Sequence, residues 1–326
     1  MKHYLLLWII VPYLPLHGQQ HIQDFFSHSD PDGSEIVIEY SLNFDQSGGH
    51  IQGIQKYSTG EKDYLLLSGS SERVAYMAFA EYDSTARIIQ IDTLMTEPFR
   101  HAGGFQIMDH YLAVGIEDNH LRTSSRVIIY DLTQVGEAPV TPLHSLERNG
   151  AYERATAGAV GLCQMGRYVV LVVANWDARH TDWYITPTEG FENGEIHFQK
   201  IASLEMAKLD KGSWSDPEWA SYQNINLFTG PDPDDLFLVG LTTSGGQNIA
   251  DLYRVDVSNS IRTYLTQTMD PAHPPIQIVK LQRRTYDAVG NTSFRYGAGL
   301  YRSPQGTWEI FSCPEHMSVH SVLGRY

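Results

Sequence analysis

Two kinds of apolar pattern alternate along most of this chain. In one, nearly every position is apolar: residues 64–67, 111–116, 168–174, 236–241 and 308–311. In the other, every second position is: residues 74–80, 126–132, 182–186 and 251–257. Runs of four to eight residues with period two are half-buried strands, and runs apolar on both faces are strands covered on both sides. A short glycine-containing strand precedes each fully apolar run, as in Gly53, Ile54, Gln55 and in Gly104, Phe105, Gln106, Ile107. A fourth strand follows the alternating one, at residues 87–94, 196–204 and 276–282, and less clearly at 142–146. The pattern predicts no long amphipathic helix, and residues 202–209 would make a turn or two at most.

The four-strand unit recurs. The stretch from His101 through Ala102, Gly103, Gly104 and Phe105 to Gln106 repeats His50 through Ile51, Gln52, Gly53 and Ile54 to Gln55. Weaker copies start at Thr156, Ser221 and Tyr296, so the spacings are 51, 55, 65 and 75 residues. Four antiparallel strands per unit at such a period predict a five-bladed β-propeller, an all-β fold. The last unit runs short at the C-terminus, and the strand at 35–40 is left over near the N-terminus. That strand is therefore expected to complete the fifth blade as its outer strand and close the ring. The recurrent glycines fit innermost strands, whose backbones converge on the axis.

Composition adds the setting. Residues 1–19 open with Lys2 and His3, continue as an apolar stretch and break at Pro12 and Pro15. This reads as a secretory signal peptide, too short and too broken to span a bilayer. Residues 20–33 are expected to be a linker and residues 34–326 a single propeller domain, secreted or periplasmic, with no membrane span after cleavage. The chain is acidic, 38 Asp and Glu against 23 Lys and Arg, which argues against a nucleic-acid partner. Cys163 and Cys313 would form one disulfide or remain as two buried thiols; the spacing leaves both readings open.

A site is expected where the loops leading into the innermost strands meet the loops leaving the second strands. Gathered there are His50, Gln52, His101, Arg154, Tyr222, Asn224, Arg295 and Tyr296 from the former, and Glu117, Asn175, Trp176, Asp177, Glu315 and His316 from the latter. Glu117 and Asp177 would serve as acid and base across a glycosidic bond, with His101 as a third catalytic candidate. His50 and His101 would bind a metal or shuttle a proton, but no tight ligand spacing occurs, and neither metal nor cofactor is assigned. The aromatic rings would stack on a sugar and the arginines would take an anion. Equally, Asp177 would be a turn residue, and the two histidines structural latches. Gln55 and Gln106 would satisfy backbone groups between blades. The loop at 205–220, with Trp214 and Trp219, would wall the site or fold on the rim of the disc; the first is taken as the expectation. Its deletion over 211–218 should then spare stability.

The repeats as a whole resemble five-bladed β-propeller proteins. Residues 126–132, before Ala138 and Pro139, are similar to LVIVD-type repeats. Arabinanase-like five-bladed glycosidases are similar in blade number and in drawing carboxylates from successive blades, although blade one offers Ser68 and Ser70 where a carboxylate would stand. The reading is a polar-ligand-binding propeller whose ligand is a small molecule or glycan. A glycoside hydrolase and a protein-interaction scaffold are the alternatives.

Overall fold

The computed structural model describes residues 21–40, 46–230, 232–268, 274–318 and 321–326. The leader expected at 1–19 lies outside them. A helix, α1 (Ile22–His28), comes first, followed by β1 (Ser34–Glu39). Four units then follow in sequence, each a four-stranded antiparallel meander. The first is β2 (Ile51–Ser58), β3 (Asp63–Ser70), β4 (Val74–Tyr82) and β5 (Ala86–Thr96). The second is β6 (Phe99–Met108), β7 (Tyr111–Asp118), β8 (Ser124–Asp131) and β9 (Thr141–Asn149). The third is β10 (Ala159–Met165), β11 (Tyr168–Ala174), β12 (His180–Pro187) and β13 (Gln199–Glu205). The fourth is β14 (Asn224–Thr229), β15 (Leu236–Ser244), β16 (Gln247–Asp256) and β17 (Gln277–Tyr286).

The last unit is β18 (Thr292–Arg302), β19 (Trp308–Pro314) and β20 (Val322–Arg325). Strand β1 pairs antiparallel with β20, Ile36 opposite Leu323, and its far end pairs parallel with β5, Ile38 opposite Ala86. Two short helices, α2 (Thr188–Glu192) and α3 (Ser258–Thr266), sit in connections between outer strands.

The apolar residues form five separate cores, and each lies between two consecutive units. Units one and two enclose Phe79, Phe105 and Val114; units two and three enclose Ile129, Leu162 and Leu171. Units three and four enclose Val172, Trp183 and Tyr253. Units four and five enclose Val239, Phe294 and Ile310. The fifth core joins unit five to unit one through Phe311, Leu323, Leu67 and Ala78. Five wedges packed in a cycle, inner strands to the middle, make a five-bladed β-propeller. This arrangement explains the two patterns in the sequence. Second strands are covered by neighbours on both faces, and outer strands such as β9 are covered on one.

Where inner strands meet, room for a side chain vanishes. A Cβ at Gly299 would lie 1.8 Å from the Ile54 carbonyl oxygen, and one at Gly103 would lie 2.2 Å from that of Gly158. Inner strands are also tied by side-chain amides. Gln106 Oε1 accepts from the backbone N–H groups of Leu162 and Leu227, each at 2.8 Å, and its amide donates to the Leu227 carbonyl. Gln55 donates to the Leu300 carbonyl and accepts from Ile107 N–H. Both glutamines thus satisfy backbone groups on neighbouring blades, as expected from their positions after the glycines.

One expectation changes, and of the two open readings of the cysteines one holds. The linker of residues 20–33 contains α1, whose Ile22, Phe25 and Phe26 are buried against the core between units four and five. The alternation apolar-apolar at Phe25 and Phe26 was the available signal. Cys163 and Cys313 are buried free thiols. Burial pushes the Cys163 thiol up to about 12, so it is inert toward exchange near neutral pH.

Candidate functional site

The inner strands all run the same way, and their starting ends bring His50, Gln52, His101 and Tyr296 together at one end of the axis. Gln52 is buried at the centre. Its amide nitrogen lies 3.0 Å from His50 Nε2 and 2.9 Å from His101 Nε2, and its Oε1 accepts from Gln223 Nε2 at 2.5 Å. An amide nitrogen is a donor, so both imidazole Nε2 atoms accept. The proton of each neutral ring is then on Nδ1. His50 Nδ1 donates to the Ile51 carbonyl at 2.7 Å. His101 Nδ1 faces Glu117 Oε1 at 3.1 Å, at an angle outside good hydrogen-bond geometry. Glu117, 1% exposed, accepts from Ala157 N–H at 2.8 Å through its other oxygen.

A continuous polar line therefore runs from a buried carboxylate through two imidazoles, with a glutamine between them. Tyr296 stands edge-on to His50 with ring centroids 6.2 Å apart. Burial holds His50 below its ordinary pKa; the nearby His101 and His316 act the same way, while the Ile51 carbonyl and Glu315 oppose them. Glu315 and His316 are exposed at this rim, as is Arg295.

A lowered histidine pKa means that the unfolded chain takes up a proton that the folded chain refuses. The associated stability is fully present above about pH 6.5 and is lost as pH falls through that value toward the folded pKa. His144 and His180 are lowered by burial too, so they add with the same sign. We expect the melting temperature to fall on acidification from about pH 7.5 to 5.5, with a shallower slope for His50→Gln. Thermal melts across that range check it, and a flat profile would contradict it.

Other residues expected at the site are engaged elsewhere. Arg154 donates to both oxygens of Asp182, at 2.7 and 3.2 Å, alongside Arg148 at 2.7 Å and Ser203 at 2.6 Å. Burial works to raise the Asp182 pKa, but these donors outweigh it and hold the carboxyl well below its usual range. Tyr222 is buried under Trp219 and donates to Asp251 at 2.5 Å. It belongs to the packing of unit four, not to the axial mouth. Asn224, fully buried, is a latch: its amide donates to the Gln52 carbonyl and its Oδ1 accepts from Ala298 N–H. Asn175 clamps its own turn, accepting from His180 N–H and donating to the Glu153 carbonyl.

Asp177 sits in that same turn with φ of 69° and pairs with Arg179 at 2.7 Å. Burial raises its pKa, Glu153 adds to the rise, and Arg179 and Arg122 oppose it. Asp177 is thus held within its turn, while Glu117 is buried against His101 and the Ala157 N–H. Trp176 is half-buried, and the Arg122 guanidinium covers its ring 3.1 Å from the centroid. Arg122 was not foreseen; only its place just after the Asp118 turn marked it. Among the described residues no three His, Cys, Asp or Glu side chains converge to hold a metal ion.

The loop expected to wall the site is instead locked to β17. Lys280, fully buried, reaches Asp216 at 2.6 Å and Asp251 at 3.1 Å, and donates to the Glu218 carbonyl at 2.9 Å. Trp214 packs against Tyr253, and Trp219 donates to the Ala178 carbonyl. Deleting residues 211–218 would take Asp216 and the Glu218 carbonyl from the buried Lys280 and leave it Asp251, so the loss of the loop is expected to destabilise the blade.

No protein-family model and no curated protein matches this chain. Solved structures similar to it include a bifunctional GH43-CE protein from Bacteroides eggerthii, with a TM-score of 0.48 and 10% identity over 85% of this chain. This chain spans 33% of that protein's length. The RS223 β-xylosidase is similar at a TM-score of 0.47 and 8% identity, covering 87% of this chain and 94% of its own. The catalytic domain of a GH62 α-L-arabinofuranosidase from Coprinopsis cinerea is similar at 0.46 and 8%, covering 90% and 98%. No residue roles pass to this chain from likenesses at such identity.

Proposed function

We propose that this propeller binds a neutral, hydroxyl-rich ligand such as a glycan at the axial end that holds His50 and His101. The observation that carries the reading is the amide of Gln52 between two imidazoles. It fixes the direction of both imidazoles beside the buried Glu117 carboxylate, so the floor of the site is polar and rigid. Neutral donors and acceptors held in fixed directions suit hydroxyl groups better than ions. The rim supplies the adaptable contacts: the Tyr296 ring and hydroxyl, the Glu315 carboxylate, and the His316 and Arg295 side chains.

The ligand would be met outside the cytoplasm if the leader read at residues 1–19 directs secretion or periplasmic export. No helix among the described residues is long and apolar enough to cross a membrane. We also propose that β1, paired with both β20 and β5, is the strand that closes the ring.

Titration of the full chain with a panel of neutral and acidic oligosaccharides tests the ligand reading. A neutral oligosaccharide should bind saturably. Tyr296→Ala should weaken it by about tenfold, roughly 1.4 kcal/mol, with an unchanged melting temperature. Binding unaffected by Tyr296→Ala, or the absence of binding across the panel, would overturn the assignment. Turnover of a bound glycan that disappears in Glu117→Gln would convert the site from a binding site to a catalytic one.

A further inference from the structure

The opposite end of the axis holds a cavity. The inner strands that carry His50 and His101 at their start end eight and seven residues later, on the order of 25 Å away at about 3.3 Å per residue. There they surround a space of about 410 Å³. Its inner wall includes three amides, Gln55, Gln106 and Asn226, and its outer wall includes Arg302, Phe228 and Trp308.

The three amides differ in one respect. Gln55 and Gln106 spend both ends of their side chains on neighbouring backbones. Asn226 spends one: Oδ1 accepts from Leu300 N–H at 2.9 Å, while Nδ2 has no partner. Asn226 is 1% exposed. A buried donor left without an acceptor is costly, and such atoms in a cavity wall mark where an acceptor belongs.

The surrounding charge indicates which acceptor. The whole chain has a net charge of −15, yet this wall carries Arg302 and Lys56 against a single carboxylate, Asp109. Asp63 holds the Lys56 ammonium at 2.8 Å. Arg302 lies over the Trp308 ring, 5.2 Å from its centroid, and donates to the Thr229 carbonyl at 3.3 Å. The outer wall thus offers a guanidinium beside flat apolar rings, and the inner wall an unmet N–H. We propose that this far mouth binds a small organic carboxylate with a flat apolar body. One carboxylate oxygen accepts from Asn226 Nδ2, the guanidinium of Arg302 supplies the favourable charge, and the apolar body lies against Trp308 and Phe228.

Benzoate, with benzamide as its neutral isostere, is the probe. Titration of the full chain, read by calorimetry and by ligand-observed NMR, should give saturable benzoate binding and much weaker benzamide binding. Asn226→Asp keeps the acceptor for Leu300 N–H but removes the free donor. It should lower benzoate affinity by about ten- to hundredfold, the range for a lost hydrogen bond to a charged group. Met108→Trp, at a half-exposed position of the cavity wall, should block the mouth without disturbing Asn226, and so tests the site even if Asn226→Asp fails to fold. Equal binding of benzoate and benzamide, retention of benzoate by Met108→Trp, or no benzoate binding by the unaltered protein would each overturn the proposal.

Discussion

Asp251→Ala is expected to destabilise the protein by about 3–5 kcal/mol, the cost of breaking a buried ion pair from one side. Asp251 is fully buried and receives Arg283 twice at 2.8 Å, Tyr222 at 2.5 Å, and Lys280 at 3.1 Å. Removing its carboxylate leaves Lys280, itself fully buried, with Asp216 and the Glu218 carbonyl alone. Tyr222 also loses its acceptor, although Tyr253 remains 2.5 Å away. Arg283 suffers less because it is partly exposed and keeps Glu218 at 2.6 Å. Urea unfolding measures the change. The double variant Asp251→Ala, Lys280→Met should recover part of the loss, because the buried ammonium that lost one of its two carboxylates is gone. A loss below about 1 kcal/mol for the single variant would rank this cluster with surface pairs.

A chain beginning at residue 41 is expected not to fold. It lacks α1 and β1, and with them Ile22, Phe25, Phe26, Ile36 and Ile38, all buried. At about 1.5–3 kcal/mol for each fully buried apolar side chain, the summed loss matches the entire stability of an ordinary domain, about 5–15 kcal/mol. Removal of β1 also exposes the edges of β20 and β5 together, and open edges recruit other chains. The truncated chain should be recovered aggregated, and adding residues 21–40 as a separate peptide during refolding should restore soluble material. A soluble, cooperatively melting truncation would show instead that the remaining strands hold the ring unaided.

The blade pattern was legible because it depends on local alternation. Each strand carries its own burial code, and the glycines mark inner strands by a purely steric rule that needs no partner. His50 and His101 were legible for the same reason, since they sit at one position of a repeating unit, and Gln52 follows two residues after the first. What failed were assignments that depended on a partner far along the chain. Arg154 was placed at the axis by its position, but Asp182 on β12 takes both of its guanidinium nitrogens. Tyr222 stood in an equivalent position and is drawn outward by Asp251. The loop at 205–220 was read by its length, yet its fate is set by Lys280, more than sixty residues later. The far cavity had no sequence signal at all. Its existence depends on how widely five strand ends are held apart, and no single strand encodes that distance.

The cores lie between wedges, and none lies on the axis. The molecule is therefore held together like a barrel by its staves, with the bore asking only for its glycines and its few amide ties. A side chain at either mouth of the bore, away from those ties, can change shape or charge without opening a void in any stave-to-stave joint. Lineages of such a protein would be free to exchange cargo at either end while keeping one melting behaviour, and the two ends would drift independently of each other.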